Sequence, residues 1–147
     1  MRGMKIVCVF LCALFVSCCG GKQGSTNVDP KYRPLIEKFA DSIVQKDYQS
    51  AYNLTSPALQ QQLSYQKFVE SWTEYREGFS SLKVDYRPGE NPQQQAELVP
   101  EADRASLAAK ITLVFSGNLE GEETKFFCTT WIVDQGTPYI SSFYIED

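Results

Sequence analysis

Apolar residues fall along this chain in three successive patterns, and each predicts a different kind of element. Ile6 to Val16 is an unbroken run of eleven residues without a charge or strong polar group. From Pro34 to Val44, Leu35, Ile36, Phe39, Ala40, Ile43 and Val44 recur at the spacing of one helix face, with Glu37, Lys38, Asp41 and Ser42 on the other, so an amphipathic helix is expected. A shorter segment, KDYQSAYNLTS, sets Tyr48, Ala51 and Tyr52 on one face and breaks at Ser56-Pro57, a helix cap followed by proline at the first helical position. Ser64 caps a third helix whose apolar side carries Tyr65, Phe68, Val69, Trp72 and Tyr75, and Gly78 closes it where a left-handed backbone is wanted. Glu70, Glu74 and Glu77 read as a solvated face, although carboxylates at such spacing also suit acid–base chemistry.

Beyond Phe79 the period drops to two. FSSLKVDYR reads as a strand, PGENPQQQ as an exposed loop because of its prolines and glycine, and AELVP as a short strand. In SLAAKITLVFS, Leu107, Ala109, Ile111, Leu113 and Phe115 alternate with Lys110, Thr112 and Ser116, which predicts a half-buried strand. GNLEGEE turns the chain into TKFFCTTWIVD, and QGT turns it again into PYISSFYIE, so an antiparallel meander is expected. TKFFCTTWIVD carries large residues on both faces, Phe127, Trp131 and Val133 against Phe126, Cys128 and Ile132. A sheet with one solvated face needs apolar groups on one side only. The second face is therefore expected under a partner, a neighbouring subunit or the curved sheet itself, with scattered surface aromatics as the plainer alternative. Helices first and strands after make an α+β domain.

Composition narrows the chemistry. At 147 residues, 43% hydrophobic and 13% aromatic, the chain has room for one domain with a substantial core. Its formal charge of -4 argues against nucleic acid as a partner. There is no histidine, which removes the commonest proton-transfer group and metal ligand. Of five cysteines, Cys8, Cys12, Cys18 and Cys19 lie in or beside the leading apolar run. Cys128 stands alone in the remainder, so no disulfide framework, zinc site or other cofactor is expected.

The leading run follows Arg2 and Lys5 and has the outline of a secretion signal. As a helix it spans ~16 Å, about half of the roughly 30 Å hydrocarbon layer, too short for a permanent crossing. Its end, Leu14-Phe15-Val16-Ser17-Cys18, resembles the lipobox of bacterial lipoproteins, with Phe15 standing where leucine is usual. The resemblance implies cleavage after Ser17, a diacylglycerol thioether on Cys18 and an acyl group on the new amine. Cys19 follows in place of the aspartate that retains many such proteins in the inner membrane, so the resemblance points to the outer membrane of a bacterial cell envelope. Each buried methylene contributes about 0.8 kcal/mol, and two or more acyl chains hold a protein at a bilayer almost permanently. The alternative is an ordinary secretory signal cleaved near Gly20. The expected organisation is a signal peptide over 1–17, a lipidated cysteine and flexible tether over 18–29, and a globular domain over 30–147. Loss of the leader leaves 12 basic against 18 acidic residues, a formal charge of -6, so lipid and not surface charge must anchor the protein.

FADSIVQKDYQSAYNLTSPALQQQLSYQKFVESW, Phe39 to Trp72, together with the closing strands, resembles the nuclear transport factor 2-like superfamily over about Pro34 to Asp147. Within it, the chain is most similar to bacterial envelope lipoproteins. The resemblance implies helices lying across a curved antiparallel sheet and enclosing a conical pocket. Enzymes of that fold use the pocket for proton abstraction. The dehydratase type relies on histidine, and the isomerase type needs a carboxylate base with tyrosine and acid donors in an apolar pocket. Tyr32, Tyr48 and Tyr52 are available donors, but no carboxylate falls on an inward face: Asp41 and Asp47 belong to polar helix positions or starts, and Asp134 to a turn. A cystatin-like α+β domain, with one long helix in place of three, shares the local pattern.

Tyr48, Tyr52, Trp72 and Trp131 are the candidates to line a pocket for a small apolar ligand, and core filling is the plainer role for all four. Cys128 reads as a buried inert thiol, and Lys110 as a solvated or edge charge. The expected function is a membrane-anchored envelope lipoprotein acting as a non-catalytic binding or assembly module, with a second copy or an envelope protein on the sheet face. The alternative is an isomerase or dehydratase-like enzyme using the conical pocket.

Overall fold

Pro34 sits in the first turn of α1, Arg33–Val44, where its missing N–H is not needed, in a computed structural model that describes residues 28–147. The leader, the cleavage site and Cys18 lie outside the described residues, as does most of the expected tether. Val28, assigned from the sequence to the tether, is 3% exposed and packs into the core, and its carbonyl accepts from Arg33 Nε at 3.0 Å. A single valine in a polar stretch carries no periodicity, so its burial had no signal.

Three further helices follow, each opened by a side-chain cap. Asp47 caps α2, Tyr48–Tyr52, Ser56 caps α3, Pro57–Gln62, and Ser64 caps α4, Tyr65–Arg76. Each cap satisfies a backbone N–H left without an intrahelical partner and contributes about 1 kcal/mol. The sequence marks Ser56 as a cap and Pro57 as a first helical position at a break between helices, and the two begin a short helix of their own there, which the three-helix reading does not count. With Leu59 as its one buried residue, it shows no apolar stripe. The polar side of α1 is also less solvated than its spacing predicts. Ser42 is buried and donates to the Lys38 carbonyl at 2.7 Å, and Glu37 is half-buried. Where α4 ends, the buried Arg76 reaches the terminal carbonyl of α1 at Val44, Nη2 to O at 2.8 Å, before Gly78 at φ +87 turns the chain into the sheet.

Strands β1 (Phe79–Pro88), β2 (Leu107–Leu119), β3 (Glu122–Asp134) and β4 (Pro138–Glu146) form an antiparallel meander in the order β1-β2-β3-β4. The molecule is thus α+β, helices then sheet. One face of the sheet presents Ile111, Leu113, Phe115, Phe126, Cys128, Ile132 and Ile140 to Ile36, Phe39, Ile43, Phe68 and Trp72 of the helices, and this is the core. Two irregularities shape the strands. The β2–β3 register skips Ala108, so Leu107 stands opposite Val133 on the outer face and not in line with Ala109. In β4, Ser141 is the extra residue, with Trp131 opposite Ser142 and Ile132 opposite Ile140.

AELVP is not a strand. Ala96–Leu98 and Glu101–Ser106 are 3₁₀ turns, entered through Gln95 at φ 59, and the N–H groups of Leu98 and Val99 are satisfied locally by Gln95 and Ala96. The segment lies against the outer face of β3 and β4. Trp131 Nε1 donates to the Gln94 carbonyl at 3.4 Å, Ser142 Oγ donates to the Leu98 carbonyl at 2.8 Å, and Val99 and Pro100 are buried. The second apolar face of β3 is therefore covered, over Trp131 and Val133, by the chain's own loop. Phe127 remains half-buried, with the Arg87 guanidinium 5.7 Å from its ring. The free edge of β4 is also partly shielded, since Ile140 exchanges hydrogen bonds with Leu54 and Ser56. No helix among the described residues is long and apolar enough to cross a membrane.

Candidate functional site

The helix-borne candidates converge on one aromatic cluster. Phe39, Phe68, Trp72 and Phe115 are fully buried between helices and sheet. Their ring centroids lie 5.8 Å apart for Phe39–Trp72 and Trp72–Phe115 and 6.4 Å for Phe68–Trp72, while Phe143 stacks on Trp72 at 5.4 Å. Spacings of this kind are those of close-packed aromatic pairs. Tyr52 extends the cluster through Phe68 at 5.4 Å and donates its hydroxyl to the Leu63 carbonyl at 2.7 Å. Tyr48 is half-buried at the rim, its phenol pushed up by burial. Trp131 does not join them. It lies on the outer face beneath the 3₁₀ segment, with Lys110 Nζ 5.1 Å from its ring, so Lys110 is a partly covered cation–π partner and not a freely solvated charge. Trp72 Nε1 is the one buried side-chain polar atom among the described residues with no hydrogen-bond partner.

Two tyrosine–carboxylate pairs join helices to sheet. Tyr32 donates to Asp134 Oδ2 at 3.1 Å, and Lys31 Nζ reaches the same oxygen. That lysine holds the Asp134 carboxyl below its ordinary range, while burial raises the Tyr32 phenol. Tyr86 donates to Glu37 Oε1 at 2.8 Å, and burial, reinforced by that bond, pushes its phenol up. The sequence placed Glu37 on the solvent side of α1, and nothing in its spacing marks the partner, which comes 49 residues later. Glu70, Glu74 and Glu77 are exposed as expected. Cys128 is fully buried with its thiol driven far up by desolvation, which makes it a poor nucleophile. Among the described residues no group of three or more acidic or cysteine ligands could hold a metal ion.

Five of the recesses formed by the described residues measure 210 to 270 Å³, and none of these five is lined by Phe39, Phe68, Trp72 or Phe115. One of them, of about 210 Å³, combines Ser56, Pro57 and Asp103 with the end of β3 and the start of β4. Asp103 is 6% exposed, and its Oδ2 accepts hydrogen bonds from Ser56 Oγ and Ser141 Oγ, each at 2.6 Å. Ser56 also caps α3, Leu59 N to Oγ at 3.1 Å, so one hydroxyl serves helix and carboxylate together. The sequence offered Ser56 as a cap but gave no sign of Asp103, which lies in a polar stretch between strands.

No protein-family model matches this chain, and no curated protein sequence matches it.

Proposed function

We propose that the protein is a bacterial cell-envelope lipoprotein, anchored through acyl chains on Cys18, whose domain is a nuclear transport factor 2-like fold serving as a non-catalytic binding or assembly module. Helices that precede and pack on one face of an antiparallel meander support the fold reading. The observation that carries the functional reading is the filled interior. Where the resemblance implies an open cone, Phe39, Phe68, Trp72 and Phe115 occupy the space between helices and sheet. An isomerase-type site needs an inward carboxylate beside a cavity. Glu37 meets the buried Tyr86, but it lines none of the five recesses.

A module that binds without transforming must present a surface. The part of the outer sheet face left uncovered by the 3₁₀ segment carries Phe127, Val114 and Tyr144, the last 52% exposed, and is the surface proposed to meet an envelope protein or a second copy. Crosslinking and sizing of the mature chain in its native membrane test this. A discrete complex abolished by Phe127→Glu is expected. A strict monomer with no crosslinked component would contradict the proposal.

A further inference from the structure

Acidic side chains are almost never buried without a positive partner. Asp103 is an exception, because among the described residues no lysine or arginine forms an ion pair with it. The adjacent cation, Arg104, turns its guanidinium to the Val99 and Glu97 carbonyls. The carboxylate instead receives two neutral hydroxyls on one oxygen, and these fix its position without neutralising its charge. Ser56 comes from the start of α3 and Ser141 from the extra residue of β4, so three segments hold the carboxylate in place. It lines a recess whose walls also include Pro57, Val133, Thr137 and Tyr139, with no cationic residue among them.

We propose that this recess is a binding site for a small primary ammonium compound with a short apolar chain. An ammonium has three donors and no acceptor, which suits a carboxylate in a recess that Thr137 and Gln135 also line, the Gln135 amide nitrogen already donating to Ser106 Oγ. Pro57 and Val133 add apolar lining suited to an alkyl chain, and Tyr139 in the same lining adds an aromatic residue of the kind that attracts a cation. The volume of about 210 Å³ falls below the roughly 300–1,000 Å³ of pockets for drug-sized ligands, so the occupant is small. A ligand that also bears a carboxylate or phosphate finds no positive partner in these walls. A hard metal ion is poorly served, since one carboxylate falls short of the six or more oxygen ligands that calcium takes. The inference goes beyond the binding-module reading and does not depend on how the leader is processed.

The test is a titration of the full mature chain in detergent micelles with n-butylammonium, followed by backbone amide NMR, with the neutral n-butanol as the matched control. Saturable shifts confined to Gln135, Thr137, Tyr139 and the Ser56–Pro57 junction are expected for the ammonium and not for the alcohol. Asp103→Asn, which keeps an oxygen to accept both hydroxyls, should weaken binding by at least about tenfold, the order of a lost charge-assisted hydrogen bond. Tyr139→Leu, outside the hydroxyl pair, should weaken it severalfold while leaving the spectrum folded. Absence of saturable shifts, equal binding of n-butanol, or undiminished affinity in folded Asp103→Asn would each overturn the proposal. The alcohol comparison needs no variant and holds even if Asp103→Asn fails to fold.

Discussion

Trp72 concentrates the account at the scale of a single residue. Its ring contacts Phe39, Phe68, Phe115 and Phe143, yet its N–H has no acceptor. Truncation to alanine removes a fully buried ring and is expected to cost about 3–5 kcal/mol in urea denaturation. Trp72→Phe should cost less than about 1.5 kcal/mol, because losing some ring volume is offset by removing an N–H whose unsatisfied burial costs about 1–3 kcal/mol. Equal losses for the two variants would mean that the indole nitrogen matters in a way this packing does not describe. The helical period placed Phe39, Phe68 and Trp72 on inward faces from sequence alone. Glu37 and Asp103 were not legible, because what removes them from solvent is a tyrosine or serine dozens of residues away.

At the scale of elements, caps and turn glycines were the readable signals, since their partners lie within three or four residues. Asp47, Ser56, Ser64 and Gly78 all act locally. AELVP, over 96–100, is misread as a strand because the place of its segment against Trp131 and Ser142 is a long-range fact, whereas the exposed loop before it is legible from its prolines and glycine. Among the described residues no strand pairs with AELVP, and it closes 3₁₀ hydrogen bonds with itself. Covering the outer face of β3 from within the chain also narrows the surface left for a partner. The β1–β2 pairing supplies a sharper test. A Cβ at Gly117 would stand 2.0 Å from the Ser81 carbonyl oxygen, beside the register shift between Phe79 and Ser81. Gly117→Ala must push two backbones apart and is expected to destabilise by about 1–3 kcal/mol, read from thermal unfolding. A neutral result would show that the two strands are not paired as described.

For the whole molecule, the absence of histidine and the directions of the pKa shifts set the pH profile. Asp47, Glu70 and Asp134 are held below their ordinary values, Asp134 chiefly by Lys31. The stability they add is present above their unfolded pKa and is lost as pH falls through the folded one, below about pH 4. Tyr32, Tyr48, Tyr75 and Tyr86 are raised, chiefly by burial. Their contribution is complete below about pH 10 and disappears as pH rises through the folded values. Melting temperature should therefore be nearly flat between about pH 5 and 9, and a mid-range step would point to a coupled group outside this scheme.

The larger claim at this scale is that acyl chains on one cysteine hold an acidic, aromatic-filled domain at a membrane surface. The most direct measurement is the mass of the N-terminal peptide of the mature protein recovered from envelope fractions. A chain beginning at Cys18 that carries a diacylglyceryl thioether, and that becomes soluble and unmodified in Cys18→Ser, is the predicted result. A mature chain that starts elsewhere, or that begins at Cys18 without acyl groups, would contradict it.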